Sequence, residues 1–422
     1  MKRYEKYKPT GIQWLPEIPE HWVIQRFGCL FKLKTATNDT SKELLSVFLD
    51  RGVIKASESD KRTHQASEDL SKYQLVEPTD FVMNNQQAWR GSVGVSDYIG
   101  IISPAYHIFP MPNCYNSHYA NYLLRDRMMV NLYEVSSKGV GSIQRTLNFN
   151  WLNNGKCILP SIDEQNKIVA YLNKRITLID NCKYQREREL QTLNELKQAE
   201  IASVVTRGLN PNVPMKDSGQ IQFGRVPAHW DSVKMKYCFN QRSEKGFPNE
   251  PVLCATQSKG VIPQTLYENR VVVVNKGFEG LKLVKVGDFV ISLRSFQGGI
   301  EYAYYQGIIS SAYTILTPKD ERNSRYFKYL FKSHPFIQLL QTCVTGIREG
   351  QNINYSVLGN SFIPIPPIEE QNAIVEYIES KTNKIDTMID SLKAEIDRLT
   401  EYKQRLISDV VTGQIDVRGE QI

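Results

Sequence analysis

The chain contains a long internal repeat, and this feature constrains its fold more than any other. The run Ile-Pro-Glu-His-Trp at 18–22 recurs 208 residues later as Val-Pro-Ala-His-Trp at 226–230. Glu-Gln-Asn-Lys-Ile-Val at 164–169 recurs 206 residues later as Glu-Gln-Asn-Ala-Ile-Val at 370–375. Five further matches lie at almost the same offset and in the same order. The 422 residues therefore form a tandem duplication with a period of about 207 residues.

Each copy begins with a segment of about 150–160 residues that predicts a mixed α/β (α+β) domain. Runs rich in β-branched and aromatic residues predict strands at 271–274, 288–293 and 302–316. Asn-Ser pairs at 116–117 and 323–324 are helix N-cap signals. The sequence therefore predicts helices and strands within the same globular domain.

Each copy ends in a long predicted helix, at 161–206 in the first copy and at 367–412 in the second. Acidic residues in the first turn of each favour the positive end of the helix dipole. The predicted boundaries are residues 1–160 for the first domain, 161–212 for the central helix and linker, 213–366 for the second domain and 367–422 for the C-terminal helix.

A heptad stripe of apolar residues runs along both long helices. Thr382 and Lys403 break the stripe in the second helix, and Arg186 and Glu200 interrupt it in the first. The stripes predict that the helices pair in antiparallel fashion and make the two copies a pseudo-dimer. Packing of each helix on its own domain is the alternative. The residues predicted to pair the helices are Leu172, Ile176, Ile179, Leu193, Ile378, Ile385, Ile389, Leu392, Ile396, Leu399 and Leu406.

Positive charge is concentrated in the two globular segments. The net charge is +4 over 1–160 and +7 over 213–366, whereas it is −5 over 367–422. This distribution favours two surfaces that face a polyanion, with ordinary surface charge as the alternative. The seven scattered cysteines form no CxxC pair, which predicts reduced thiols in the cytoplasm. No apolar run is long enough to predict a membrane span.

Two loop regions in each copy carry side chains of the types that read DNA bases. The loops at 84–91 and 292–299 differ, although the strands before them match, as expected for readers of two different sequences. The glycine-rich regions at 138–145 and 345–352 would let backbone approach a phosphate. Neutral drift and plain glycine-rich connections are the alternatives. The candidate contact residues are Arg51, Gln86, Gln87, Arg90, Lys138, Gln144, Arg145, Lys259, Arg294, Ser295, Gln297, Arg348, Gln351 and Asn352.

The sequence lacks several common nucleotide-binding and catalytic motifs. It has no Walker A loop, no HExxH, no GxSxG and no Asn-Pro-Pro-aromatic motif. His21 and His229 are equivalent across the repeat, and we interpret them as packed structural histidines. A duplicated chain without a duplicated catalytic constellation is better explained as a binding protein. We therefore predict no catalytic residue, no metal site and no cofactor.

Three motifs together resemble the specificity subunits of type I restriction–modification systems. They are Ile-Pro-Glu-His-Trp at 18–22, Ile-Pro-Ile-Pro-Pro-Ile-Glu-Glu-Gln at 363–371 before a long helix, and the Lys-Gln…Val-Val-Thr helix ends. The resemblance covers essentially the whole chain, including the duplication. The first copy reads Leu-Pro-Ser-Ile-Asp-Glu-Gln at 159–165 and lacks one proline, but it keeps Glu-Gln and the helix that follows.

The resemblance implies two target-recognition domains, each reading one half of a bipartite site in double-stranded DNA. It also implies helices that set the spacing and dock two methyltransferase subunits, with up to two restriction subunits joining them. S-adenosylmethionine, ATP and magnesium would then be bound by those partners, and this chain would be non-catalytic.

Two other functions compete with this interpretation. A single-chain restriction–methylation enzyme would need a catalytic domain, for which the repeat leaves no residues. A non-DNA-binding coiled-coil scaffold with two protein-binding domains would show no salt-dependent binding to DNA.

Overall fold

The computed structural model describes residues 2–34, 41–58, 70–140, 144–267, 277–346 and 352–420. Its contacts divide the chain into two compact units. The first unit comprises residues 1–186 and 395–422, and the second comprises residues 187–394. Each unit holds one globular domain together with part of each long helix. The domain boundaries expected from the sequence remain predictions, because the unit boundaries fall inside the long helices.

The first copy contains thirteen strands and five helices among its described residues. The strands are β1 Tyr7–Ile12, β2 Leu15–Pro19, β3 Val23–Arg26, β4 Leu45–Phe48, β5 Gly52–Lys55, β6 Gln74–Val76, β7 Phe81–Asn84, β8 Val93–Val95, β9 Gly100–Ile102, β10 Tyr106–Phe109, β11 Ser137–Val140, β12 Gln144–Leu147 and β13 Lys156–Leu159. The helices are α1 Phe27–Leu30, α2 Ser117–Arg125, α3 Arg127–Val135, α4 Phe149–Asn154 and α5 Ile162–Arg207.

The second copy repeats this order with small differences. Its strands are β14 Met215–Asp217, β15 Arg225–Pro227, β16 Asp231–Lys234, β17 Phe239–Arg242, β18 Leu253–Thr256, β19 Gly260–Pro263, β20 Lys282–Val284, β21 Phe289–Ile291, β22 Glu301–Tyr302, β23 Gly307–Ile309, β24 Thr314–Pro318, β25 Val344–Thr345, β26 Asn352–Ile353 and β27 Phe362–Ile365. Its helices are α6 Met235–Cys238, α7 Ser295–Gly298, α8 Ser324–Leu330, α9 His334–Thr342, α10 Tyr355–Leu358 and α11 Ile368–Val411.

The expected mixed α/β fold with two long helices is confirmed, and the helix bounds agree within one residue. The Asn116 side chain caps α2 by accepting the backbone N–H groups of His118 and Tyr119. Asn323 makes no such bond at the start of α8. The continuous strand expected over 302–316 is wrong, because turns divide it into β22, β23 and β24. The strand expected at 271–274 lies outside the described residues.

The strands form small antiparallel sheets. In the first unit, β7 lies between β10 and β8, while β4 pairs with β5 and β11 with β12. In the second unit, the sheet has the order β17-β24-β21-β22, and β18 pairs with β19. Pairing of β3 with β13 and of β16 with β27 joins the third strand of each copy to its last strand. Each long helix therefore starts directly after the strand that closes its own domain.

Aromatic side chains dominate the core of each unit. In the first unit the core is built around Phe27, Phe31, Phe81 and Phe109, and in the second around Phe239, Phe289, Phe327 and Phe331. Ring centroids in these groups lie 4.7–6.3 Å apart, in the range where edge-to-face and offset contacts are favourable. Both cores also enclose the start of one long helix and the end of the other.

Ion pairs show that the long helices run antiparallel within each unit. In the first unit, Asp180 pairs with Lys403 at 2.7 Å and Arg186 with Glu395 at 3.0 Å. As the residue number on α5 rises, the residue number of its partner on α11 falls, as in an antiparallel pair. In the second unit, Lys197 pairs with Asp386 at 2.6 Å, and Tyr377 donates to Glu200, with the same direction.

Candidate nucleic-acid interface

In the first unit, the loop after β7 packs beside the β11–β12 hairpin. The Asn85 side chain accepts the backbone N–H of Leu147 at 3.2 Å and so fastens the loop to β12. The guanidinium of Arg90, on the loop, lies 4.6 Å from the Trp89 ring centroid, and that of Arg145, on β12, lies 4.7 Å from it. The fold thus brings together two arginines that the sequence places 55 residues apart.

A second cation–aromatic contact lies on the other face of the hairpin, because Lys138 pairs with Thr146 whereas Arg145 pairs with Gly139. Lys138 on β11 is exposed, and its ammonium lies 4.6 Å from the ring centroid of Trp151, which is itself half-exposed. Gln86 is exposed and Gln87 is partly buried on the neighbouring loop. Gln144 is described only as the first residue of β12. We call the surface formed by Trp89, Arg90 and Arg145 the basic aromatic surface.

Arg51 and Lys259 lie at equivalent hairpin turns. The β4–β5 and β18–β19 hairpins each have a three-residue turn followed by a glycine with a φ of 73°, namely Gly52 and Gly260. This left-handed conformation closes such hairpins and favours glycine. Both cationic side chains are exposed immediately before the glycine. They are therefore accessible for the phosphate contacts expected of them.

In the second unit, the loop after β21 is held by short-range hydrogen bonds. Ser295 corrects our expectation of a contact residue: it is 2% exposed, and its hydroxyl accepts the N–H of Ser292 at 2.8 Å. Ser295 stabilises the turn, because its hydroxyl is hydrogen-bonded to the backbone of the same turn. Arg294 and Gln297 are exposed. Gln341 on α9 donates to the carbonyl of Phe296 at 3.3 Å and so holds α7 against α9.

The second glycine-rich region is only partly described. Asn352 is exposed on β26 and pairs with Thr345 in the β25–β26 hairpin. Arg348 and Gln351 lie outside the described residues. The structure therefore places one of the three candidates of this region on a hairpin equivalent to β11–β12.

Residues of the heptad stripe are buried to different degrees along the helices. Leu172 and Ile179 are buried in the core of the first unit, and Ile176 and Leu399 pack against it, whereas Ile378 is buried in the core of the second. The remaining members are buried or half-buried, at Leu193, Ile385, Ile389, Leu392, Ile396 and Leu406. The ends of the long helices therefore pack on the globular domains, as the alternative interpretation expected. The helices also pair with each other within each unit.

The polar residues that interrupt the stripe make contacts between the helices. Arg186, Glu200 and Lys403 each bond to the opposite helix within their own unit. A polar residue in an apolar seam fixes the register, because a shifted helix would leave it without its partner. Sequence reasoning treated these residues as defects in the seam, and only the structure shows that they are paired.

Sequence reasoning also missed that two repeated motifs meet in space. His21 bonds to Glu164 at 2.8 Å, and the equivalent His229 bonds to Glu370 at 2.7 Å. The tryptophans that follow these histidines are fully buried. The histidines are therefore structural as interpreted, but they are half-exposed ion-pair partners of the helix start rather than packed rings. The sequence did contain a hint of this contact, because the His-Trp motif and the Glu-Gln motif recur at almost the same offset.

Among the described residues, no group of three or more His, Cys, Asp or Glu side chains is arranged to hold a metal ion. In the same part of the chain, no helix is both long and apolar enough to cross a membrane.

The comparisons first define the class of the second copy. Residues 228–398 match the family model described as the Type I restriction modification DNA specificity domain. That stretch starts in the second Pro-x-His-Trp motif and ends within α11, so it includes the loop with Arg294 and Gln297. The second copy is thus similar to a DNA specificity domain followed by a long helix.

Relatives then extend this class to the whole chain. A putative type I restriction enzyme MjaX specificity subunit from Methanocaldococcus jannaschii is 25% identical over 443 residues, covering 98% of this chain and 97% of that one. The MjaVIII specificity subunit of the same organism is 26% identical over 283 residues, 63% of each chain. Over almost its whole length, the chain is therefore similar to specificity subunits of type I restriction–modification systems.

A solved structure shows the same fold. A chain from work on complex assembly and conformational transition of the type I R-M system covers 94% of this chain and 99% of its own length. It is 16% identical and has a TM-score of 0.66. At this identity the likeness concerns the fold, namely two globular domains with long helices.

Proposed function

We propose that each globular domain reads one half of a two-part site in double-stranded DNA. The observation that carries the proposal is the basic aromatic surface of the first unit, where Arg90 and Arg145 come together on Trp89 from separate segments. Lys and Arg provide the phosphate contacts from which most DNA affinity arises. Arg90 and Arg145 supply this electrostatic contribution to DNA affinity, with Lys138 on the other face of the hairpin as a further candidate.

Base reading requires side chains with fixed orientation. Arginine binds guanine through two parallel hydrogen bonds, and glutamine binds adenine in the same way. Stacking on Trp89 restricts the guanidinium groups of Arg90 and Arg145, at a gain of about 0.5–1 kcal/mol for an exposed cation–aromatic pair. Gln86 and Gln87 lie on the same loop, and Arg294 and Gln297 occupy the corresponding loop of the second unit.

Substitution of one arginine in each unit tests the proposal. Arg90→Ala and Arg294→Ala should each weaken binding at one half-site only, by about 1–3 kcal/mol if the arginine reads guanine. Arg398→Ala, at an exposed arginine of α11, is the matched control and should leave affinity unchanged. Equal losses on all DNA sequences would show that these arginines contact phosphates and would contradict base reading.

We further propose that this chain is non-catalytic and without a cofactor, and that it docks two methyltransferase subunits and up to two restriction subunits. Likeness to specificity subunits over almost the whole chain supports docking, and the candidate contacts are exposed large apolar side chains along the long helices. They are Leu178, Tyr184, Leu196, Met388 and Tyr402. S-adenosylmethionine, ATP and magnesium would be bound by the partners. Methyl transfer by the purified chain alone would refute this assignment.

The long helices are proposed to set the distance between the half-sites. α5 has 46 residues, or roughly 69 Å at 1.5 Å per residue. Inserting four residues in its middle adds about 6 Å, so the spacer should lengthen by one or two base pairs. An insertion of equal length in the linker 208–214 is the control and should leave the spacer unchanged. Methylated sites would be mapped with the partner subunits present, and an unchanged spacer with lengthened α5 would refute this role.

A further inference from the structure

One cation lies behind the hairpin turn in each unit, at positions that the repeat makes equivalent. Arg125, the last residue of α2, donates to the carbonyls of Leu49 and Asp50 at 3.2 and 2.8 Å. Lys332, 207 residues later and just after α8, donates to the carbonyl of Gln257 at 3.2 Å. Leu49 and Gln257 are equivalent turn residues, so the same bond is made twice.

These turns present candidate phosphate contacts. Arg51 follows Asp50 by one residue, and Lys259 follows Gln257 by two. The carbonyls within a three-residue turn have few backbone partners, and a cation that binds them fixes the turn. Loss of the cation would leave the turn, and the exposed side chain at its tip, less well oriented.

Lys332 makes further contacts that Arg125 does not. It donates to the carbonyl of Gly298 at 2.9 Å and pairs with Glu301 at 2.5 Å. Gly298 directly follows Gln297 on the loop that also carries Arg294. Lys332 therefore joins the hairpin turn to the candidate base-reading loop. A Cβ added at Gly298 would meet the Gln257 side chain at 2.9 Å, which confirms that the two segments are in direct contact.

The two units differ at one further position, which gives Lys332 a carboxylate partner at a place where the first unit has glycine. Gly94 pairs with Val82 in the first unit, and Glu301 pairs with the equivalent Val290 in the second. At Gly94 a Cβ would meet the backbone of Gly52 at 3.0 Å, so the hairpin packs directly on β8. Glu301 is 3% exposed, and its buried carboxylate requires a cationic partner.

We propose that Arg125 and Lys332 are positioning residues for DNA reading, each fixing its unit's hairpin turn, and that Lys332 also fixes the loop carrying Arg294 and Gln297. The inference rests on the proposed function, because these loops must contact DNA for their position to matter. Neither cation needs to touch DNA itself. Their effect passes through backbone carbonyls of the segments that they hold.

The test compares three variants of the full chain assembled with methyltransferase partners. Lys332→Met combined with Glu301→Gln removes the donors without leaving a buried charge. Glu301→Gln alone removes the charge pair but keeps the bonds from Lys332 to both loops. Lys332→Arg keeps a cation with several donors. The readout is the ratio of methylation rates on DNA with the preferred half-site and with single-base changes in it.

In the double variant this ratio should fall at least about fivefold at one half-site, the low end of the discrimination given by one two-bond base contact. Glu301→Gln and Lys332→Arg should retain it. Unchanged ratios in the double variant would overturn the inference. So would a uniform loss of rate on every sequence, or an equal effect of Glu301→Gln alone, since either would indicate a purely structural role.

Arg125→Met provides an independent variant, because Gly94 leaves no carboxylate at the place of Glu301. It should reduce the ratio at the other half-site only. Arg294→Ala separates the two hypotheses. If Arg294→Ala relaxes the readout and the Lys332 double variant does not, the inference alone fails. If neither does, the proposed reading loop fails as well.

Discussion

Two equivalent buried tyrosines fasten a globular domain to the end of a long helix, and their hydroxyl groups offer a sharp test of the fold. Tyr119 on α2 donates to the carbonyl of Val411 at 3.0 Å, within the first unit. Tyr326 on α8 donates to the carbonyl of Val205 at 2.8 Å, within the second. The last carbonyls of a helix have no partner within the helix, so another group must satisfy them.

The perturbation is Tyr119→Phe, which removes one oxygen atom and keeps the ring. Tyr119 is fully buried, and burial raises the pKa of its phenol well above the ordinary value, so the hydroxyl remains a neutral donor. Removing it leaves the Val411 carbonyl buried without this donor. An unsatisfied buried group of this kind costs about 1–3 kcal/mol.

Thermal unfolding measures the effect. For a unit of this size, 1 kcal/mol corresponds to roughly 2–4 °C in Tm, so Tyr119→Phe should lower the transition of the first unit by roughly 2–12 °C. Tyr326→Phe should lower the transition of the second unit. Tyr122→Phe is the matched control on α2, because its hydroxyl bonds at the surface to Asn173, and its effect should stay below about 0.5 kcal/mol.

The reasoning would be refuted if Tyr119→Phe and Tyr122→Phe had equal effects. Burial would then not be what makes the Tyr119 bond costly to lose. A loss of the first unit's transition in Tyr326→Phe would equally contradict the assignment of each tyrosine to its own unit.

Three further measurements follow from charges and thiols. Burial raises the pKa of Glu301 to about 7, so the stability of the second unit should fall as pH rises from 4.5 towards about 7. Urea unfolding at pH 5 and pH 8 would measure this loss of stability, which should be smaller in Glu301→Gln. Exchanging the charges of Asp180 and Lys403 should restore the stability lost in either single reversal, by at most about 1 kcal/mol for this partly exposed pair, and a double variant no more stable than the single ones would contradict the pairing. Burial raises the pKa of the Cys157 thiol and removes it from solvent, so iodoacetamide should label the exposed Cys29 in the native protein and Cys157 only after unfolding; equal labelling of the native protein would count against the buried position.

The sequence was sufficient for the parts of this protein whose physics is local or periodic. The repeat predicts two copies of one fold, and the heptad stripe predicts two long helices because a helix returns apolar residues to one face every seven residues. The Asn116 cap of α2 was readable because capping involves only neighbouring backbone groups.

The sequence could not show which distant residues meet. The contact of Arg90 and Arg145 with one tryptophan depends on how a loop packs against a hairpin, and neither segment encodes that packing locally. The burial of Ser295 was missed for the same reason, because a serine in a polar loop has the same local pattern whether its hydroxyl points outwards or beneath the turn.

The tertiary structure also explained residues that depart from the patterns of the sequence. Arg186 and Lys403 interrupt an apolar stripe, and their partners lie more than 200 residues away in the sequence. Lys332 carries no motif, yet it contacts two loops and a buried carboxylate. Hydrogen bonds and ion pairs depend on distances of about 3 Å, and only the folded chain brings atoms so far apart in sequence to that distance.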